Sequence, residues 1–226
     1  NTAEYSRVFG EQHDVTLLGG TSAEWNTYEF VTAGRQGLPS EDPSLRYINQ
    51  GDGNQSAGGD LDRSRLLSYF SRVNYSYGGR YLATIVARYD GSTRFGSNNR
   101  FGFFPSFSAA WRLSEEDFMD DVEWVNDLKV RGGYGINGND GIPDYSFLTT
   151  IETFPAYVLG EGNFIPGATL GGAGNPDLQW EESRQTSFGL DATLLDRLSV
   201  TAEYYVKNTS DLLLVVPQLS TSGAQR

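Results

Sequence analysis

One histidine, two adjacent glutamates and one acidic, asparagine-bearing run are the parts of this chain whose residue types suit catalysis or metal binding. His13 has no cysteine to pair with, because the chain contains none. It stands in an alternating stretch, with Val15 and Leu17 on one side and Asp14 and Thr16 on the other, so a wall or interface position accounts for it better than general acid–base work. Glu181 and Glu182 are neighbours. On a strand, neighbours point to opposite faces, and two such carboxylates do not form an acid–base pair. Asp52, Asn54, Asp60 and Asp62 supply oxygen donors but lack the regular spacing of a calcium loop. Glycine-rich polar runs of this kind are ordinarily solvated. The residue types therefore assign no catalytic residue, no cofactor and no metal site. The charges that recur at regular spacing are of another sort: Arg72, Arg88, Asp90, Lys129, Arg131, Glu203 and Lys207, together with Asn74, all lie in stretches where polar and apolar residues alternate. Mixed charges on one face suit either paired charges that support another part of the fold or a hydrated wall.

The elements that carry them are strands. In the segment from Leu66 to Arg112, Leu67, Tyr69, Val73, Tyr75 and Tyr77 form one row, and Ser68, Arg72, Asn74 and Ser76 the other. After Gly78, Gly79 and Arg80 the pattern resumes, with Tyr81, Ala83, Ile85, Ala87 and Tyr89 opposite Thr84, Arg88 and Asp90. A period of two puts successive side chains on opposite faces, and a short Gly-rich link makes the pair an antiparallel hairpin. The same reading predicts about seven strands in all, the others near Gln12–Gly20, Phe103–Arg112, Asp127–Asn137, Leu178–Leu194 and from Leu198 through Val206. The polar segment 21–63, with Gly37, Pro39, Pro43 and the run 51–60, reads as loop. Ser114 followed by Glu115, Glu116 and Asp117 predicts a short helix over Glu115–Asp121, since acids in the first turn favour the helix dipole.

Connections alternate in length. Those at 21–63, 91–102, 138–177 and from 208 onward are long, and those at 78–80, 113–126 and 195–197 are short. One face is apolar with Tyr, Phe and Trp toward the strand ends, while the other is charged. This is the pattern of a transmembrane β-barrel, apolar toward lipid and polar toward a lumen. The opposite phase would set bases against lipid at about 2–4 kcal/mol each near the midplane. A soluble β-sandwich also alternates, but its strands ordinarily run about five or six residues. No run of about 20 apolar residues is present, so no transmembrane helix is predicted. With 29 acids against 17 bases and a net charge of −12, nucleic acid is not an expected partner. No signal peptide is visible at Asn1.

A series of segments resembles the barrel of SusC/RagA-type TonB-dependent outer-membrane transporters. It comprises Ser68–Tyr75, the run Arg88-Tyr89-Asp90-Gly91-Ser92-Thr93-Arg94-Phe95-Gly96, Phe104–Arg112, Leu128–Gly135 with Gly138 and Asn139, Asn175–Glu181, Gly189–Asp191, and Glu203–Tyr205 through Thr209–Leu213. The blocks follow the family's order. The resemblance implies residues 1–226 as part of one outer-membrane barrel domain of about 22 strands, with long extracellular loops and one short periplasmic helix. About seven strands do not close such a barrel, and the chain shows neither the plug nor a terminal aromatic strand, so a section of a longer polypeptide is expected. The implied function is TonB-dependent import of nutrients, oligosaccharides foremost and oligopeptides second. The implied partners are a SusD-like surface lipoprotein, TonB through a region outside this chain, and outer-membrane lipid. Tyr145, Phe147, Tyr157, Phe164 and Trp180, in or beside the 138–177 loop, are candidates for contacting substrate or lid, with loop packing as the plainer role. A secreted glycan-binding or adhesion module is the alternative from a different class. A glycan-acting enzyme ranks last because no acid–base pair is present.

Overall fold

Alternation at period two gives each segment two unlike faces, and tight turns bring consecutive segments side by side with those faces in phase. The computed structural model describes residues 1–152, 156–159 and 163–214, with only the backbone described at 152, 156–159, 163, 164 and 166. In chain order the strands are β1 (Thr2–Phe9), β2 (His13–Arg35), β3 (Gln55–Tyr77), β4 (Tyr81–Ser92), β5 (Phe101–Arg112), β6 (Val125–Asn139), β7 (Ile151–Glu152), β8 (Ala156–Leu159), β9 (Asn163–Pro166), β10 (Thr169–Leu170), β11 (Glu181–Leu194) and β12 (Leu198–Ser210). Eight of them form one sheet in the order β1-β2-β3-β4-β5-β6-β11-β12, while β7 pairs with β10 and β8 with β9 as separate two-stranded ribbons.

The antiparallel all-β expectation holds, with four local corrections. β1 was not expected. It folds onto β2 through Gly10, Glu11 and Gln12, where only one glycine marks the turn, and Glu11 itself adopts a left-handed conformation at φ 64°. The segment 21–63 is not all loop, since β2 continues to Arg35 and β3 begins at Gln55. The part 55–63 is polar and glycine-bearing, and in 21–35 Trp25, Tyr28, Phe30 and Val31 fall on both faces, so neither stretch shows a clear period of two although the main chain pairs. No α-helix forms over Glu115–Asp121. Two single 3-10 turns, Leu113–Glu115 and Asp117–Met119, take its place, and the Ser114 hydroxyl donates to Asp127 Oδ1 at 3.2 Å rather than capping. The strand expected from Leu178 starts at Glu181.

The chain divides into two units. Trp25–Arg65 forms one of them, in which the strand segments are joined through Gln36 N–H to Asn54 O at 3.1 Å and Gly53 N–H to Gln36 O at 3.0 Å. In its connecting segment, Asp42 Oδ1 accepts from Ser44 N–H at 2.9 Å and caps a 3-10 turn over Pro43–Leu45.

The other unit, Asn1–Glu24 with Leu66–Arg226, carries the two-faced sheet. Three of its turns share one build, with two left-handed residues followed by a third: Gly10-Glu11-Gln12, Gly78-Gly79-Arg80 and Leu195-Asp196-Arg197. At the third turn, where no glycine eases the geometry, Asn126 exchanges hydrogen bonds with Asp196 and Trp124 O accepts from Leu195 N–H. The registers align Tyr77, Tyr81 and Trp111 in one transverse row, Val73, Ile85, Phe107 and Tyr134 in a second, and Tyr69, Tyr89 and Phe103 in a third. Ile85 is 53% and Phe107 50% exposed, so among the described residues no second layer of this unit covers the apolar face. From Tyr81 to Tyr89 is eight residues, about 26 Å of strand at about 3.3 Å each. Counted with both ends it is nine residues, within the range of about 9–11 for a tilted strand that crosses a membrane. His13 belongs to the first aromatic row: its Nδ1 lies 2.9 Å from Tyr75 Oη and its ring 4.8 Å from that of Tyr77.

Candidate functional site

The face opposite the aromatic rows gathers the regularly spaced charges. Register sets Arg131 on β6 and Glu203 on β12 either side of Gly189 on β11, and sets Lys129 and Thr201 either side of Asp191 one pleat away. Arg131 Nη2 reaches Glu203 Oε2 at 2.8 Å, its Nε reaches Asp191 Oδ2 at 3.2 Å, Lys129 Nζ lies 3.1 Å from Asp191, and Thr201 Oγ1 donates to Asp191 at 3.1 Å. Two bases thus face two acids. The guanidinium crosses the intervening strand only because residue 189 has no side chain, since a Cβ there would stand 2.7 Å from Arg131 Cζ. Gly189→Ala should therefore abolish the coupling between positions 131 and 203 in a double-mutant cycle on thermal stability, with little effect on assembly, because partly exposed ion pairs contribute modestly.

A second group sits toward the long connections. Arg88 holds Asp90 with two bonds of 3.0 and 3.1 Å and donates to Ser68 at 3.3 Å, while Thr84 Oγ1 donates to Asn74 Oδ1 at 3.1 Å. Arg72 and Lys207 lie on exposed positions and make no ion pair among the described residues. Between the two groups a depression of about 320 Å³ runs over Thr84, Ser108, Gly133 and Ser187, beside Lys129 and Arg131.

Beyond the strands, the long connections are knitted together. Phe95, Phe104 and Trp180 are 0%, 5% and 7% exposed and form the buried core cluster, with ring centroids of Phe95 and Phe104 each 5.2 Å from Trp180. Trp180 Nε1 donates to Arg100 O at 3.2 Å. Ser92 Oγ donates to Asp140 Oδ2 at 2.7 Å, Arg94 Nε to Asp144 Oδ1 at 2.9 Å and Asn99 Nδ2 to Asp177 O at 3.1 Å. Of the loop aromatics, Trp180 is thus taken up in packing, leaving no open ring face for a substrate or lid. Phe147 is half-buried near Gly96, and Tyr145 is exposed. The side chains of Tyr157 and Phe164 lie outside the described residues. Residue types alone did not single out Gly189, Asp191, Ser92, Arg94 or Asp140. The first two were within reach, because the turn at Leu195-Asp196-Arg197 by itself dictates that Gly189 opposes Glu203.

At the short-turn end, Glu116 Oε1 accepts from Tyr81 Oη at 2.7 Å and Trp111 Nε1 at 2.8 Å, and Arg80 Nη1 lies 3.3 Å from Oε2. The hydrogen bonds from Tyr81 and then Trp111, aided by Arg80, hold the Glu116 carboxyl below the ordinary glutamate range. A depressed folded-state pKa gives stability that is present above the unfolded value and lost as pH falls through the folded one. Acidification below the ordinary glutamate range should therefore loosen this turn, read as a shift in Trp111 fluorescence that Glu116→Gln removes.

The whole chain, residues 1–226, matches the family described as TonB dependent receptor-like, beta-barrel. The chain belongs to that family. It is 36% identical over 224 residues to TonB-dependent receptor P3 of Formosa agariphila, covering 99% of this chain and 22% of that protein. It is 38% identical over 160 residues to TonB-dependent receptor SusC of Bacteroides thetaiotaomicron, covering 67% of this chain and 15% of that one. The structure of the RagAB peptide transporter superposes with a TM-score of 0.82 at 33% identity, covering 98% of this chain and 24% of that chain. The chain therefore spans about a fifth of the length of the Formosa relative that it matches. This TonB-dependent receptor barrel is of the SusC/RagA type, a family of outer-membrane transporters and receptors rather than of enzymes.

Proposed function

We propose that this chain forms part of the wall and outer loops of an importer for oligomeric nutrients, oligosaccharides first and oligopeptides second. In this reading residues 1–226 lie within one barrel domain, and the plug and remaining strands belong to other parts of the complete protein. Arg72, Asn74, Arg88, Asp90, Lys129, Arg131, Glu203 and Lys207 face the lumen. The long connections face outward, under a SusD-like lipoprotein, and TonB acts through a region outside this chain. The observation that carries the reading is the uncovered apolar face with aromatic rows about 26 Å apart along the strand, opposite a face whose charges largely pair among themselves. A secreted module would leave that apolar row in water. Peptides are the specific second reading because of the likeness to the RagAB peptide transporter over 98% of the chain.

Labelled neutral oligosaccharides should accumulate in cells carrying the complete protein, and accumulation should stop when the proton-motive force is dissipated or TonB is deleted. Accumulation of oligopeptides instead would move the function to the second class. Partition of the complete protein into the soluble fraction would end both.

A further inference from the structure

Tyr145 is a bulky residue with a left-handed backbone, φ 64°, and its side chain is 46% exposed. Such a conformation is unfavourable for any residue with a branched or bulky side chain and persists only where the surroundings over-determine it. Here they do. Asp144 is held by Arg94 at 2.9 Å, Ser146 Oγ donates to Pro143 O at 2.7 Å, Asn175 N–H donates to Ser146 O at 3.2 Å, and Tyr145 O itself accepts from Leu148 N–H at 2.8 Å. Both neighbours are fixed, yet among the described residues the Tyr145 ring has no ring contact and its hydroxyl no hydrogen bond.

We propose that Tyr145 is a ligand-contact residue, presenting its phenol face and hydroxyl from a fixed backbone to a neutral oligosaccharide. The inference rests on the importer reading above and names its ligand chemistry. An amphipathic ring stacks on the C–H face of a pyranose, while its hydroxyl bonds a sugar hydroxyl, at little entropic cost because the loop is already ordered. Arg94, the base fixed beside this segment, is engaged by Asp144 and so is not offered to the carboxylate of a peptide. The Asp140 carboxylate accepts from Ser92 and keeps further acceptor capacity for sugar hydroxyls.

The test uses the complete transporter purified in detergent, titrated calorimetrically with cellohexaose, maltohexaose and xylohexaose, and with a neutral hexapeptide. Tyr145→Gly suits the left-handed backbone, so its melting temperature should equal or exceed that of the wild type. Its affinity for the bound hexasaccharide should nonetheless fall about tenfold, equivalent to about 1.4 kcal/mol. Tyr145→Phe should lose about threefold, the share of one hydroxyl bond. Unchanged affinity in Tyr145→Gly would overturn the assignment while leaving the importer reading intact. Binding of the hexapeptide alone would overturn the saccharide chemistry, and no binding by the wild type of any of the four would overturn the inference together with the reading it rests on.

Discussion

Ile85→Arg should cost about 2–4 kcal/mol of barrel stability in a bilayer, whereas Thr84→Arg, one residue away, should cost about 1 kcal/mol. Ile85 sits midway between Tyr81 and Tyr89 on the apolar row, paired across the sheet with Val73 and Phe107. An arginine there enters hydrocarbon at its deepest point with no partner charge in reach. Thr84 occupies the opposite row between Asn74 and Ser108, beside the depression over the polar face, and there an arginine loses one hydroxyl bond to Asn74 and gains water. Denaturant unfolding of the complete protein from lipid vesicles reads both values. Equal costs for the two substitutions would mean that neither face meets lipid, and a higher cost at Thr84 than at Ile85 would mean that the faces are assigned the wrong way round.

Trp180→Ala should cost about 3–5 kcal/mol, the range for emptying a large aromatic site in a packed core. The ring is 7% exposed, touches Phe95 and Phe104, and donates to Arg100 O. Its loss removes the common support of two connections, the one carrying Phe95 and Arg100 and its own, while leaving the strand ladders below intact. The effect should therefore be local opening: limited proteolysis should cut within 93–100 and 140–150, with the sheet still resistant. Trp180→Phe, which keeps the packing and gives up the hydrogen bond, should restore most of the protection. Sensitivity spread evenly over the sheet would show that the cluster is not a separate loop core.

Strand direction, face and turn were legible in the residues because they are local. Tyr81 through Tyr89 alternate in view of any reader, and Gly78 with Gly79 announces the turn that sets Tyr77 against Tyr81. The turn at Gly10 was not legible, since Glu11 takes a left-handed conformation that its side chain does not advertise. The continuation of β2 to Arg35 escaped for a related reason, because Trp25, Tyr28, Phe30 and Val31 fall on both faces of the strand, and pairing there rests on main-chain bonds rather than on a period of two. The charges of the polar row were foreseen as a set. Which charge pairs with which was not, because Arg131 meets Glu203 two strands away, across Gly189.

From the chain of residues alone followed the two-faced antiparallel sheet, its apolar and charged rows and the SusC/RagA resemblance, since a period of two and a turn residue act over only a few positions. The tertiary structure alone decided which charges neutralise one another, that Trp180 is interior while Tyr145 stands open, and how Arg94 locks a loop some fifty residues further on. Those outcomes depend on the order and register in which distant strands meet, and that is a property of the assembled sheet rather than of any segment in it.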